Sequence, residues 1–243
     1  MEERDILINR LKDLAKKRDS GNYCLFSPFL SPDILPETKG LGKVCVFGGY
    51  SDAERCVAAF LPDYIDGQEE ADWPISLLVL TPTDGKVYSH RDYLGSLMSL
   101  GIKRQVMGDL IVSGEKAYLF CLESIEEFII NNLTSVSGAR VNVEKAESLD
   151  LLPERKFEEI CATVASERLD CVVAIAAKTS RSKAAELVSA GLVTVNYRET
   201  TKSTYIMKPG DRFSVKGKGK FVYDGAKGST KKGRTVAVLR KYI

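Results

Sequence analysis

Ile6, Leu7, Leu11 and Leu14 recur at helical spacing with charged residues between them, which predicts an amphipathic helix over residues 3–18, ended at Gly21. Ser27 to Gly42 holds Pro28, Pro32 and Pro36. Proline offers no N–H to a ladder or a helix, so this stretch reads as an irregular connection. KVCVFGGY, from Lys43, reads as a strand. Ser51 with Glu54 three residues on has the spacing of a capping box, predicting a helix through Phe60 that Pro62 stops. Together these elements make a small N-terminal α/β unit, residues 1–70.

From Ile75 the alternation becomes regular. ISLLVLTP reads as an apolar strand, RDYLGSLMSLG as a helix, GDLIVSG as a short strand and KAYLFCLE as another. SIEEFIINNL follows as a helix opened by Ser124 with Glu127 in a second capping box, and ARVNVEKAE alternates as a strand. Strand, helix, strand, strand, helix, strand over residues 71–150 is the split βαβ order of ferredoxin-like domains, which RNA-recognition folds share. KAYLFCLE lacks the aromatic run that stacks bases in those folds, so topology alone does not assign RNA binding here. Residues 151–165, polar and carrying Pro153, read as a linker.

In the last segment, residues 166–243, Leu169, Val172, Val173, Ile175 and Ala176 form an apolar helix face. Ser180 can cap a second helix, Arg181 to Ala190, which Gly191 stops. LVTVN, TYIM, DRFSV, KFVY and TVAVL are short β segments between turn residues, predicting two helices on a small twisted sheet. The class is α+β in three parts.

Charge divides this picture in two. Ser166 to Ile243 holds 17 Lys/Arg against 6 Asp/Glu, a formal +11, whereas Met1 to Ala165 holds 18 against 27, a formal −9. A polyanionic partner is expected for the last domain alone. Arg168, Lys178, Arg181 and Lys183 fall in and around the start of the second helix, where helix N–H groups and the helix dipole also favour anions. Arg198, Lys216, Lys218 and Lys220 add charge from the strands, and the Lys-Gly alternation of VKGKGKF would let backbone approach a ligand closely. Thr-Lys-Lys-Gly-Arg, at 230–234, concentrates further cations in this domain. Phe221 and Tyr223 alternate with Val222 and are read as core rather than base-stacking residues.

Six cysteines, Cys24, Cys45, Cys56, Cys121, Cys161 and Cys171, include no CxxC pair, and His90 is the only histidine. Reduced thiols without a structural metal or cofactor are expected. The charged N-terminus has no secretory pattern and no apolar run is long enough to span a bilayer, so a cytoplasmic location without membrane contact is expected.

SERLDCVVA, SRSKAAELVSAGLVTVN and PGDRFSVKGKGKF together resemble the RNA-binding domain named after ribosomal protein S-four, over about residues 166–225. That resemblance implies that Arg168, Ser180, Arg181, Ser182, Lys183, Asn196 and Arg198 face structured RNA or order the fold. HRDYLGSLMSLGIKRQVMGDL is similar to the middle-domain signature of the bacterial YlmH family. That family is linked to large-subunit and transfer-RNA binding, ribosome quality control and cell-division gene neighbourhoods, which implies rRNA or tRNA partners.

Enzyme readings fare less well. His90-Arg91-Asp92 matches a kinase catalytic-loop string without the companion motifs, and Asp92 reads instead as a helix cap. Arg168-Leu169-Asp170 matches a pseudouridine-synthase string, but lies inside the first helix of the binding domain, where Asp170 reads as a helix-surface or fold-supporting carboxylate. CVFGGYSDAERC lacks the Gly pattern of a methyltransferase cofactor turn. An adaptor role, in which the acidic first 165 residues contact basic ribosomal proteins, is compatible with RNA binding.

Overall fold

The computed structural model describes residues 3–21, 23–65, 67, 70–153, 157–229 and 235–242. The chain divides into two units, Met1–Pro153 and Glu154–Ile243. No helix among the described residues is long and apolar enough to cross a membrane.

In the first unit, helix α1 (Glu3–Gly21) precedes strands β1 (Leu25–Leu30), β2 (Val44–Phe47) and β3 (Cys56–Phe60), which form an antiparallel sheet in the order β1-β3-β2. Leu7, Leu11, Leu14 and Ala15 of α1 pack on Leu30, Ala58 and Phe60, while Ile6, expected on the same face, is exposed. Two sequence expectations are overturned here. Pro28 lies within β1, because β1 is an edge strand whose register shifts between Phe26 and Phe29, and an edge or a bulge tolerates the missing N–H. Cys56–Phe60 is a wholly buried central strand rather than a helix. The Asp109 carboxylate accepts the backbone N–H groups of Glu54 (2.7 Å) and Arg55 (3.1 Å) and the Tyr50 hydroxyl (2.8 Å), holding the Ser51 segment as a turn.

The same unit continues with β4 (Ile75–Pro82), α2 (His90–Ser99), β5 (Met107–Ser113), β6 (Lys116–Leu122), α3 (Glu123–Asn132), β7 (Ser135–Val136) and β8 (Ala139–Lys145). Its antiparallel sheet runs β5-β6-β4-β8-β7. Side chains of α2 and α3, including Tyr93, Leu97 and Ile129, cover one face over Leu78, Leu80, Leu119 and Cys121. Alternation puts Leu77 and Phe120 on the other face, where they pack with Phe29 and Val57 of the N-terminal sheet, and Tyr50 stacks on Phe120 at 5.0 Å. Ser89 caps α2 in a reciprocal capping box with Asp92, so Asp92 is the box partner rather than the cap itself. By contrast, α3 starts at Glu123 with no side-chain cap, and the expected Ser124–Glu127 box is absent.

The second unit contains β9 (Phe157–Val164), α4 (Leu169–Ala176), α5 (Arg181–Ser189), β10 (Val193–Val195), β11 (Arg198–Glu199), β12 (Arg212–Val215), β13 (Gly219–Ser229) and β14 (Thr235–Tyr242). Six strands form an antiparallel sheet in the order β11-β10-β12-β13-β14-β9. The expected linker over 151–165 is thereby corrected: residues 157–164 pair with β14 along their whole length, Phe157 with Tyr242 through Val164 with Thr235. Its polar appearance follows from its place at the sheet edge, where Glu158, Glu159 and Cys161 are exposed. Helices α4 and α5 bury Leu169, Val172, Val173, Ala184 and Val188 against Phe213, Val215, Phe221 and Tyr223. Phe221 and Tyr223 are fully buried, as their alternation predicts.

Candidate nucleic-acid interface

The starts of α4 and α5 are built around one carboxylate. Asp170, in the first turn of α4, is 3 % exposed and therefore not a helix-surface residue. It accepts hydrogen bonds from Arg168 through Nε (3.2 Å) and Nη2 (2.7 Å), and from Arg181 through Nη2 (3.2 Å). Burial alone pushes this carboxyl's pKa up. Hydrogen bonds from Arg168, Cys171 and Arg181 and the charge of Arg181 outweigh it and hold the pKa below the ordinary aspartate value. Two guanidinium groups, from the N-cap of α4 and the first turn of α5, are thus oriented by a single buried anion, and side chains pre-set in this way lose less freedom on binding an anion.

Around this pair, the backbone supplies order. Leu169 and Asp170 N–H groups donate to Tyr205 (2.8 Å) and Ser203 (3.1 Å) carbonyls, and Met207 N–H donates to Glu167 (2.9 Å), tying residues 203–207 to the start of α4. The Tyr223 hydroxyl donates to Glu167 (2.6 Å), anchoring the same corner from β13. Ser180 caps α5 by accepting the Lys183 N–H at 3.3 Å. Arg181, Ser182 and Lys183 are exposed on that first turn, at the positive end of the helix dipole.

Lys178 sits between the helices with φ 52°. Its N–H donates to Ile175 and that of Thr179 to Ala174, the paired bonds of a Schellman turn in which the left-handed residue is usually glycine. Asn196 and Tyr197 also have positive φ, 48° and 65°, and form the two-residue loop joining β10 to β11, the geometry of a type I′ hairpin. Asn196 Nδ2 donates to the buried Asp211 (2.8 Å) and its Oδ1 accepts the Arg212 N–H (3.0 Å), so the side chain orders the hairpin that carries Arg198.

The eleven residues selected from sequence do not all converge. Arg168, Ser180, Arg181, Ser182 and Lys183 share the two helix starts, Lys178 occupies the turn between the helices, and Asn196 and Arg198 share a hairpin. Lys216 and Lys218 flank the β12–β13 turn, where Gly217 (φ 76°) and Gly219 (φ 117°) supply left-handed backbone. The Lys-Gly alternation therefore has a conformational use in the turn itself. Lys220 pairs with Ser214, next to the stacked Phe213–Phe221 core pair, so it projects from the sheet face opposite the helices. The Thr-Lys-Lys-Gly-Arg run lies outside the described residues. Missed from the sequence were Asp211 and the positioning role of Asp170, whose signal was an aspartate lying between two arginines at the starts of separate helices.

Residues 167–213 match the S4 domain, and residues 68–150 match the RNA-binding domain in YlmH. These two matches place the chain among RNA-binding proteins with an S4 domain. The chain is 37 % identical over 187 residues to "Ribosome-associated protein quality control protein P2" of Bacillus subtilis (strain 168), covering 76 % of this chain and 72 % of the relative. It belongs to the YlmH family. Among solved structures, "Cell division protein ylmH" from Streptococcus pneumoniae shares the fold with a TM-score of 0.54 at 18 % identity, over 63 % of this chain and 96 % of that one.

Proposed function

We propose that the chain binds structured RNA, rRNA or tRNA, on the large ribosomal subunit, and that it acts in cytoplasmic ribosome-associated quality control, as the name of the Bacillus subtilis relative suggests. The carrying observation is the convergence of Arg168 and Arg181 on Asp170 beside the exposed first turn of α5. Fixed guanidinium groups suit phosphate oxygens, and A-form RNA hides its base edges in a narrow groove, so recognition is of shape and backbone. Lys178, Ser182, Lys183, Asn196, Arg198, Lys216 and Lys218 extend the contact in this reading, with Lys220 engaging only RNA that wraps the sheet edge.

The middle domain is proposed to be ferredoxin-like, a reading supported by its β-α-β-β-α order, closed by the two-residue β7 and then β8, and by its antiparallel sheet. Its face opposite the helices does not serve bases in the manner of RNA-recognition folds, since Phe120 and Leu77 are covered by the N-terminal sheet. The reading is of a binding protein: Asp170, the carboxylate of the synthase-like string, is buried and held by two arginines. Co-sedimentation with ribosomal subunits tests the proposal. Arg181→Glu with Lys183→Glu is expected to abolish it, and unchanged sedimentation would defeat it.

A further inference from the structure

The first unit has a side-chain-sized cavity that RNA binding leaves unused. About 270 Å³ in volume, it is floored by Phe47, Trp73, Ile75, Leu77 and Phe120. This lies below the range of about 300–1,000 Å³ usual for small-molecule sites. Gly49 permits the close approach of its wall: a Cβ there would meet the Phe120 ring at 2.3 Å, and its φ of 98° is left-handed. Trp73 is held by Phe47 (5.5 Å between ring centroids) and Phe26 (5.6 Å), so the aromatic floor is fixed.

The rim is acidic. Glu123 and Glu147 line it and are exposed. Lys145, the single cation of the lining, is paired with Glu126 at 2.9 Å, and Glu126 also accepts a hydrogen bond from Ser76. Leu149, 48 % exposed, adds an apolar edge. Carboxylates around an aromatic floor repel phosphate and attract a guanidinium, whose planar face stacks on rings while its N–H groups meet carboxylates.

We infer that this cavity receives an arginine side chain from a basic segment of a partner protein, with a neighbouring apolar residue of that segment against Leu149. The site lies within the first unit, and its occupation does not depend on RNA binding. It gives the acidic first unit an attachment point for basic protein tails while the second unit holds RNA.

Trp73 is the only tryptophan in the chain, so its emission reports on the cavity directly. The full-length protein is titrated with the peptide acetyl-Gly-Arg-Leu-Arg-Gly-amide, with the same peptide carrying Glu in place of Arg, and with a decauridylate. The arginine peptide is expected to give a saturable change in Trp73 emission. Glu123→Gln with Glu147→Gln should weaken that response about three- to tenfold, the size expected for two exposed ion pairs. A charge-matched pair outside the cavity lining, Asp13→Asn with Glu115→Gln, should leave it within twofold. No saturable response, equal weakening by both variant pairs, or a response to decauridylate in place of the arginine peptide would each overturn the inference. RNA binding measured on the same preparations fails or succeeds independently, which separates this result from the proposed function.

Discussion

The guanidinium of Arg181 reaches back eleven residues to Asp170, 3.2 Å from the Oδ2 oxygen that Arg168 engages at 2.7 Å. The carboxylate is buried while Arg181 keeps half its side chain exposed, so the anion acts as a fixed post for a cation that faces outward. That arrangement makes Asp170 a positioning residue, and its removal has an unusual signature.

Asp170→Asn removes a negative charge from the proposed RNA-binding surface, which by net charge alone would strengthen RNA binding. Loss of the fixed arginine geometry predicts the reverse, a weakening of about 1 kcal/mol or more in filter-binding affinity, with a stability loss of about 1–3 kcal/mol. The stability loss also depends on pH. A carboxyl whose folded pKa is depressed contributes stability that is fully present above its unfolded value and is lost as pH falls through the folded value. The gap between wild type and Asp170→Asn in urea melts is therefore expected to be full at neutral pH. It should narrow once pH drops below about 3.9, the ordinary aspartate value.

Lys178 lets stability and binding be pulled apart. At φ 52° a non-glycine residue costs about 1 kcal/mol, so Lys178→Gly is expected to stabilise the fold by up to about that amount. The same change deletes a cation between the two helices and should weaken RNA binding severalfold. Thermal melts and binding measured on one sample check both signs, and an affinity equal to wild type would remove Lys178 from the interface.

Asn196 is expected to tolerate glycine far better than a β-branched residue. Glycine keeps the left-handed backbone and loses only the bonds to Asp211 and Arg212, whereas Asn196→Val adds a conformational cost of about 1–2 kcal/mol. Comparing the two variants by chemical denaturation reads the difference.

Asp109→Ala should destabilise the first unit by about 2 kcal/mol or more, because the N–H groups of Glu54 and Arg55 and the Tyr50 hydroxyl lose their acceptor together. Hydrogen exchange is expected to speed up at residues 54–60, with the second unit unaffected.

Local signals were legible where local chemistry decides the conformation. Ser180 caps α5 through its hydroxyl, and Gly191, at φ 69°, ends it because a residue without Cβ adopts left-handed backbone freely. The helices and strands from Ile75 to Lys145 also follow their periodicity. Long-range partners defeated the reading elsewhere. The Ser51–Glu54 spacing is a good capping box, but Asp109, more than fifty residues away, takes the N–H groups, and CVAAF is an apolar run too short for periodicity to sort helix from strand. Pro28 sits in a strand because that strand is an edge, and 157–164 looks like a linker for the same reason. At the interface, residue type pointed to the cations, but only the fold divides Lys220 from Arg181, since strand alternation turns on a one-residue register.

Fixed guanidinium groups that meet RNA phosphates displace counterions, so the salt dependence of binding measures the proposed contact most directly. Affinity for a folded RNA is measured against salt concentration for wild type and for Arg168→Gln with Arg181→Gln. Each phosphate contact contributes a slope of about 0.7–0.9 in log affinity against log salt. The double variant is expected to bind at least about tenfold more weakly at low salt, with a slope smaller by about one to two. An affinity and a slope equal to those of wild type would contradict it.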